Sequence, residues 1–221
     1  MKNLQPLQLP AIRGQFGDWV YYSCIMPMRE VASRVQYADE LHSNKMLSEW
    51  IQRELKDSRS KDIAAYLVRE DERFFNSLVI AVYGGKPKWV PLRLSLAAKG
   101  SKNLVAPEVA DDTLGVLDLA GDENLFAVDG QHRLSGMKEL VLELGKSKKT
   151  GAKTDLSSIY EPILCDTISV LFVAHTKEHI ERTRRLFTTL NKTAAPVSKK
   201  ERIALDENDA MAIVARRLVE N

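Results

Sequence analysis

The chain has 221 residues, 44% hydrophobic and 28% charged, with a formal net charge of +2. That balance excludes a disordered polyelectrolyte and suits an ordinary globular chain with core enough to fold without cross-links. The two cysteines, Cys24 and Cys165, lie far apart and form no disulfide framework, which points to a reducing cytoplasm. Residues 1–10 lack the charged-then-apolar run of a signal peptide, and no apolar stretch is long enough to cross a bilayer.

In chain order, residues 9–12 and 19–25 read as strands around a turn at 14–18. Val20, Tyr21, Tyr22 and Ile25 favour a pleated surface. Pro27 permits a helix start, and Met28, Val31, Ala32 and Val35 carry a helical period after it. Met46, Leu47, Trp50, Ile51 and Leu55 predict a second helix. Residues 62–69 predict a third, with Ile63, Tyr66 and Leu67 inward. Core packing accounts for these stripes without a ligand.

Strands follow at 78–83 and 89–92, joined by a turn at Gly84-Gly85-Lys86. Others are expected at 114–119 and, after a turn at Gly121-Asp122, at 125–128. The last runs directly into Asp129-Gly130-Gln131-His132-Arg133. Leu134, Met137, Leu140, Val141 and Leu144 then resume a helical period, so these five residues sit at a strand–loop–helix junction. Residues 145–153 read as a mobile basic loop. Residues 168–174 are the clearest strand. Thr176 can cap a helix with Ile180, Phe187 and Leu190 inward. Pro196 and Ser198 open another helix, and residues 208–219 predict a last one. That pattern is still helical at Asn221, as expected of a longer natural chain. There is no internal repeat.

The junction has a definite chemistry. The first turn of a helix leaves backbone N–H groups without partners, and the helix dipole favours negative charge there. Gly130 lets a phosphate approach the backbone, and Arg133 adds a planar cationic fork. His132 can move a proton near neutral pH, and Gln131 offers a donor and an acceptor. Asp129 would repel a phosphate that it faced; it suits fixing His132 or Arg133, capping the helix, or holding a divalent metal. The plainer alternative is a capped helix in which Asp129 and Arg133 form an ordinary ion pair.

Elsewhere the signals are sparse. Residues 182–202 contain Arg182, Arg184, Arg185, Lys192, Lys199, Lys200 and Arg202, opposed only by Glu201, either as a solvated face or as a surface for polyanions. His175 and His179 have zinc-like spacing, but no Cys or carboxylate completes the set, so no metal site is assigned. Cys24 and Cys165 read as buried thiols rather than nucleophiles. There is no Ser-His-Asp arrangement and no Walker-type loop.

The string Phe126-Ala127-Val128-Asp129-Gly130-Gln131-His132-Arg133-Leu134 resembles the signature of DGQHR-domain proteins. That group includes the DndB family, which accompanies DNA phosphorothioation enzymes, and DpdB-type relatives in deazaguanine DNA modification. Residues 186–199 resemble the family's second block, here Phe187, then Leu190-Asn191-Lys192, then Pro196-Val197-Ser198. The opening Leu9-Pro10-Ala11-Ile12-Arg13-Gly14, followed by Tyr21 and Tyr22, is a third match, and the three span nearly the whole chain.

The group resembles ParB and sulfiredoxin in fold, where a short loop ending in Arg at a helix N-terminus binds nucleotide phosphates. A wider family with an Asp-Gly-Gln-Gln-Arg string is associated with NTP hydrolysis. Carried over, the resemblance implies Gly130, Gln131, His132 and Arg133 as phosphate contacts, with Asn191 and Lys192 as additions. Asp129 and His132 would be the catalytic pair if the nucleotide is hydrolysed. Asn191 is equally readable as a helix C-cap. DndB-like proteins are also thought to repress their own operons, which implies duplex DNA, with Arg182, Arg185, Lys199 and Lys200 as the best surface. No recognition helix is identifiable.

The expected fold is therefore α/β: a ParB/sulfiredoxin-like core over residues 1–175 and a helical extension over 176–221. The expected function is that of an accessory or regulatory protein of a bacterial DNA modification and phage-defence system. It would work in the cytoplasm and bind DNA, a nucleotide, or both, with ATP or another NTP and Mg²⁺ as ligand. Other proteins of that system would be its partners, self-association is allowed for, and no membrane is involved. The alternative is an NTPase whose hydrolysis drives modification or restriction. A ParB-like nuclease ranks last, because no acidic pair has convincing metal-binding spacing.

Overall fold

The fold starts from strict alternation. In β1 (Leu7–Phe16), Leu9 and Ala11 are buried while Gln8, Pro10 and Ile12 are exposed, the period of two that a half-buried strand requires. The computed structural model describes residues 4–37, 59–92, 112–150 and 156–175, together with Val214. Apart from Val214 these belong to the first of two units, Met1–Leu186, the second being Phe187–Asn221.

β2 (Trp19–Pro27) pairs antiparallel with β1, with Ala11 opposite Cys24, so Cys24 and Met26 continue the buried face. Pro27 occupies the N-cap of α1 (Met28–Arg34), whose Met28, Val31 and Ala32 are buried. The helical period predicted through Val35 ends one residue early: Val35 is buried as the first residue of β3 (Val35–Tyr37). A β-branched residue packs as well there as in a helix, so the apolar spacing alone could not separate the two.

The remaining described elements are α2 (Arg59–Arg69), β4 (Leu78–Tyr83), β5 (Lys88–Pro91), β6 (Leu114–Leu119), β7 (Asn124–Asp129), α3 (Gln131–Thr150), α4 (Ser157–Cys165) and β8 (Thr167–His175). The strands form one eight-stranded mixed sheet in the order β3-β7-β4-β8-β2-β1-β6-β5. β4 lies antiparallel to β7 and parallel to β8, and β8 is antiparallel to β2. The architecture is thus mixed α/β. The helix predicted around residues 46–55, and those from residue 176 onward apart from the helical, exposed Val214, lie outside the described residues.

One face of the sheet carries Leu9, Met26, Leu78, Ile80, Ala127 and Phe172. It packs against Val31 of α1, Leu67 of α2, Leu134, Met137 and Leu140 of α3, and Leu164 of α4. The register places Ala81 beside both Phe126 and Val173, and all three are buried as well. The central strands therefore bury side chains on both faces, as layered α/β sheets do.

Two further expectations change. Residues 145–150, read as the start of a mobile loop, continue α3 instead. Lysines are good helix formers, and cations near a helix C-terminus complement its dipole, so one glycine in that run does not end the helix. The short helix α4 had no counterpart among the predicted elements. It contains Pro162 and has no side-chain cap at Leu156, so the usual start and stop signals are missing.

Candidate functional site

β7 delivers the motif to the sheet end where β4 and β8 begin and β2 finishes. Leu125 to Val128 are buried in sequence, and Asp129 closes the strand opposite Val79, just where a bulge shifts the β4 register. Gly130 then turns the chain with φ +87°, a conformation that L side chains rarely adopt. A Cβ at Gly130 would also stand 2.8 Å from Leu78 Cγ and 3.1 Å from Arg133 Cζ. The Leu134 N–H donates to the Gly130 carbonyl at 2.9 Å, which sets the start of α3. The first turn holds no acidic residue. The N–H groups of Gln131, His132 and Arg133 lie ahead of the first intrahelical bond, as at any helix start.

The Arg133 side chain, 15% exposed, is fully aimed. Its Nη2 donates to Asp129 Oδ2 at 2.9 Å. Its Nη1 donates to the carbonyls of Asn76 at 2.6 Å and Ser77 at 3.2 Å, and also to the Asn76 side-chain oxygen. The Asp129–Arg133 ion pair is therefore real, and it is part of a clasp. One guanidinium ties the start of α3 to the segment leading into β4. Asp129 is turned to Arg133, so its charge is neutralised locally, and the fork keeps Nε–H and one Nη2–H outside these bonds. The Gln131 side-chain oxygen is buried without a hydrogen-bond partner among the described residues. Turning the amide over would leave its nitrogen in the same position. Nδ1 of His132 is closed off from solvent.

Asn76 and Ser77 also line an open cavity of about 850 Å³ at the same end of the sheet. Its walls include Ile25 and Met28 at the β2–α1 junction, residues 73–77 after α2, and Asp166 to Ser169 at the start of β8. Arg73 is locked there, with Nε and Nη2 donating to Asp166 Oδ2 at 2.8 and 2.6 Å. Neither Asn76 nor Ser77 was among the predicted site residues. They lie 57 and 56 positions before Arg133, and a polar pair ahead of a strand looks like any loop.

Of the other predicted site residues, Arg182, Arg185, Asn191, Lys192, Lys199 and Lys200 lie outside the described residues. His175 ends β8, and His179 lies outside. Among the described residues no group of three or more His, Cys, Asp or Glu could hold a metal ion, and no helix is long and apolar enough to cross a membrane. Cys24 is buried as expected, and burial pushes its thiol up to about 12. Cys165 is exposed, contrary to expectation, because it is the last residue of the short helix α4 and faces away from the core.

Residues 9–221 match a family described as DndB, DNA-sulfur modification-associated. The chain belongs to the DndB family. Membership associates it with DNA-sulfur modification and with the other proteins of such a system. The DndB match takes in the sheet, the Asp129–Arg133 junction and the basic stretch at 182–202. No curated protein and no solved structure matches the chain.

Proposed function

We propose that this DndB-family protein is an accessory, regulatory component of its modification system. In this reading it binds a nucleotide phosphate at the start of α3 and duplex DNA through residues 182–200. The observation that carries the first part is the opening turn of α3. It follows a glycine with φ +87°, contains no acidic residue, and has the Gln131 side-chain oxygen buried without a partner among the described residues. A helix start of this kind attracts anions through its N–H groups and dipole. A buried polar atom without a partner costs roughly 1–3 kcal/mol, which a bound ligand would recover. The Arg182–Lys200 segment supports the second part by its charge, since lysine and arginine neutralise DNA phosphates.

Binding is favoured over hydrolysis. Asp129 is the motif's one carboxylate and its Oδ2 is held by Arg133 in the clasp, which leaves His132 as the group to test for proton transfer. The test is to titrate ATP, GTP and CTP, with and without Mg²⁺ and duplex DNA, following binding and phosphate release together. Saturable binding that weakens in Gln131→Ala and Gly130→Ala is the expected result. No saturable binding under any of these conditions would sink the nucleotide reading. Phosphate release well above background, lost in His132→Ala, would replace the binding module with an NTPase.

A further inference from the structure

We infer that the cavity beside the motif is a nucleobase pocket, in which Phe74 is the stacking surface and Asn76 a hydrogen-bond donor to the base edge. This rests on the nucleotide reading above and adds where the base of that nucleotide goes.

Phe74 is 84% exposed on the cavity wall, whereas Phe75, which also borders the cavity, is partly buried with its ring 5.7 Å from that of Tyr66 between centres. Single exposed apolar side chains are common on protein surfaces and need no ligand to explain them. This one differs in being held on a fixed backbone. The Phe74 N–H donates to the Tyr66 hydroxyl at 2.9 Å. The preceding residue, Arg73, is anchored on Asp166 and donates to the Glu70 carbonyl at 3.0 Å. A flat apolar face is thus presented on a braced loop, which lowers the ordering cost of stacking a ring on it.

The polar groups around it are set by the clasp. A guanidinium only donates, so the Asn76 amide must turn its oxygen to Arg133. What Asn76 has left for the cavity is its amide nitrogen, a donor with no partner among the described residues. The Ser77 hydroxyl donates to the Ser169 hydroxyl at 2.8 Å, which leaves the Ser169 proton to be given elsewhere. Asp71, also on the cavity wall, supplies an acceptor. An aromatic face with both donors and an acceptor around it suits a flat heterocycle whose edge carries both kinds of group. That is the chemistry of a nucleobase rather than of a lipid tail or a sugar. The volume, about 850 Å³, is in the range of small-molecule sites. Asn76 and Ser77 both accept from Arg133 and both line the cavity, so one pair of residues joins the clasp at the start of α3 to the cavity.

The experiment compares binding of ATP, GTP and CTP with that of tripolyphosphate, for the wild type, Phe74→Ala, Phe74→Tyr and Asn76→Ala. The expected result is that at least one nucleotide binds more tightly than tripolyphosphate. Phe74→Ala should cost that nucleotide about tenfold in affinity, the scale of one base–aromatic stack, and leave tripolyphosphate unchanged. Phe74→Tyr should restore the loss, and Asn76→Ala should narrow the preference among bases. Phe74 is exposed, so an unchanged melting curve will show that the variant folds. If tripolyphosphate binds as tightly as every nucleotide, or Phe74→Ala weakens neither or both equally, the pocket is refuted while the phosphate site stands. If nothing binds, the nucleotide reading and this inference fall together.

Discussion

At Arg133 the geometry asks for a planar fork. One side chain reaches two main-chain carbonyls, an amide oxygen and a carboxylate, and a single ammonium cannot span those directions. Arg133→Lys should therefore behave much like Arg133→Ala, each lowering stability by about 2 kcal/mol in denaturant titrations, the scale of a charged hydrogen bond. Full stability in Arg133→Lys would mean that the clasp is only a surface ion pair. The same logic makes Arg133→Ala a blunt probe of ligand binding, since it also frees Asn76. The pairing of Asp129 with Arg133 could be read from their spacing of four on a helix start. The Asn76 and Ser77 half could not, because only the tertiary pairing of β4 with β7 brings those residues alongside.

The two cysteines differ in burial, Cys24 being enclosed and Cys165 exposed. Burial raises the Cys24 thiol from 9.0 to about 12. Tyr160 is raised from 10.0 to about 12 by burial first, then by its hydrogen bond to Glu143 and that carboxylate's charge. In both cases the unfolded chain gives up its proton at lower pH than the folded one. Their contribution is complete below about pH 9 and is lost as pH rises toward 12. Melting temperatures should fall across that window, and Cys24→Ala and Tyr160→Phe should each flatten the fall. A thiol reagent should label Cys165 quickly in the folded protein and reach Cys24 only on unfolding.

Among the elements, α3 carries the motif, and its seat is set by a close crossing with α2. A Cβ at Gly136 would stand 2.9 Å from Ile63 Cβ and 3.2 Å from the Ala64 nitrogen. One turn away the Ser60 hydroxyl donates to that of Ser135 at 2.7 Å. Gly136→Ala should cost about 1–3 kcal/mol by overpacking, although alanine is the better helix former by about 1 kcal/mol. Gly145 in the same helix has nothing within 4 Å of an added Cβ. Gly145→Ala should therefore stabilise by up to about 1 kcal/mol. Chemical denaturation of the two variants side by side checks both, and equal effects would mean that the crossing is loose. Strand positions were legible because alternation and β-branched runs report a half-buried surface directly. α4 was not, since a nine-residue helix with an internal proline shows little but its apolar Ile163 and Leu164.

At the scale of the whole molecule the proposed DNA surface, residues 182–200, follows the described sheet in sequence. The basic residues should make DNA affinity fall steeply with salt, because binding releases condensed counterions. Replacing Arg182, Arg185 and Lys199 together by alanine should flatten that slope by up to about three contacts' worth, while Gln131→Ala leaves it unchanged. An unaltered slope in the triple variant would place the DNA surface elsewhere, with Lys146–Lys149 at the end of α3 as the next candidate. The mixed α/β class was legible from the alternation of strand and helix signals. The strand order was not, since nothing local in residues 167–175 says that they lie between β2 and β4.

That position of β8 bears on how the protein is made. Without it the strands form two strips, β3-β7-β4 and β2-β1-β6-β5, which share no pairing. The strand that welds them is the last of the described ones to leave the ribosome. Until then β4 and β2 each present an open hydrogen-bonding edge, and the nascent chain must keep both from finding another partner. The joining contacts span about 90 residues between β4 and β8 and more between β2 and β8, a separation that slows closure. A chain cut before Thr167 should accumulate as aggregate rather than as a smaller folded domain. In the intact protein, the yield at high expression rates will depend on how long those two edges wait.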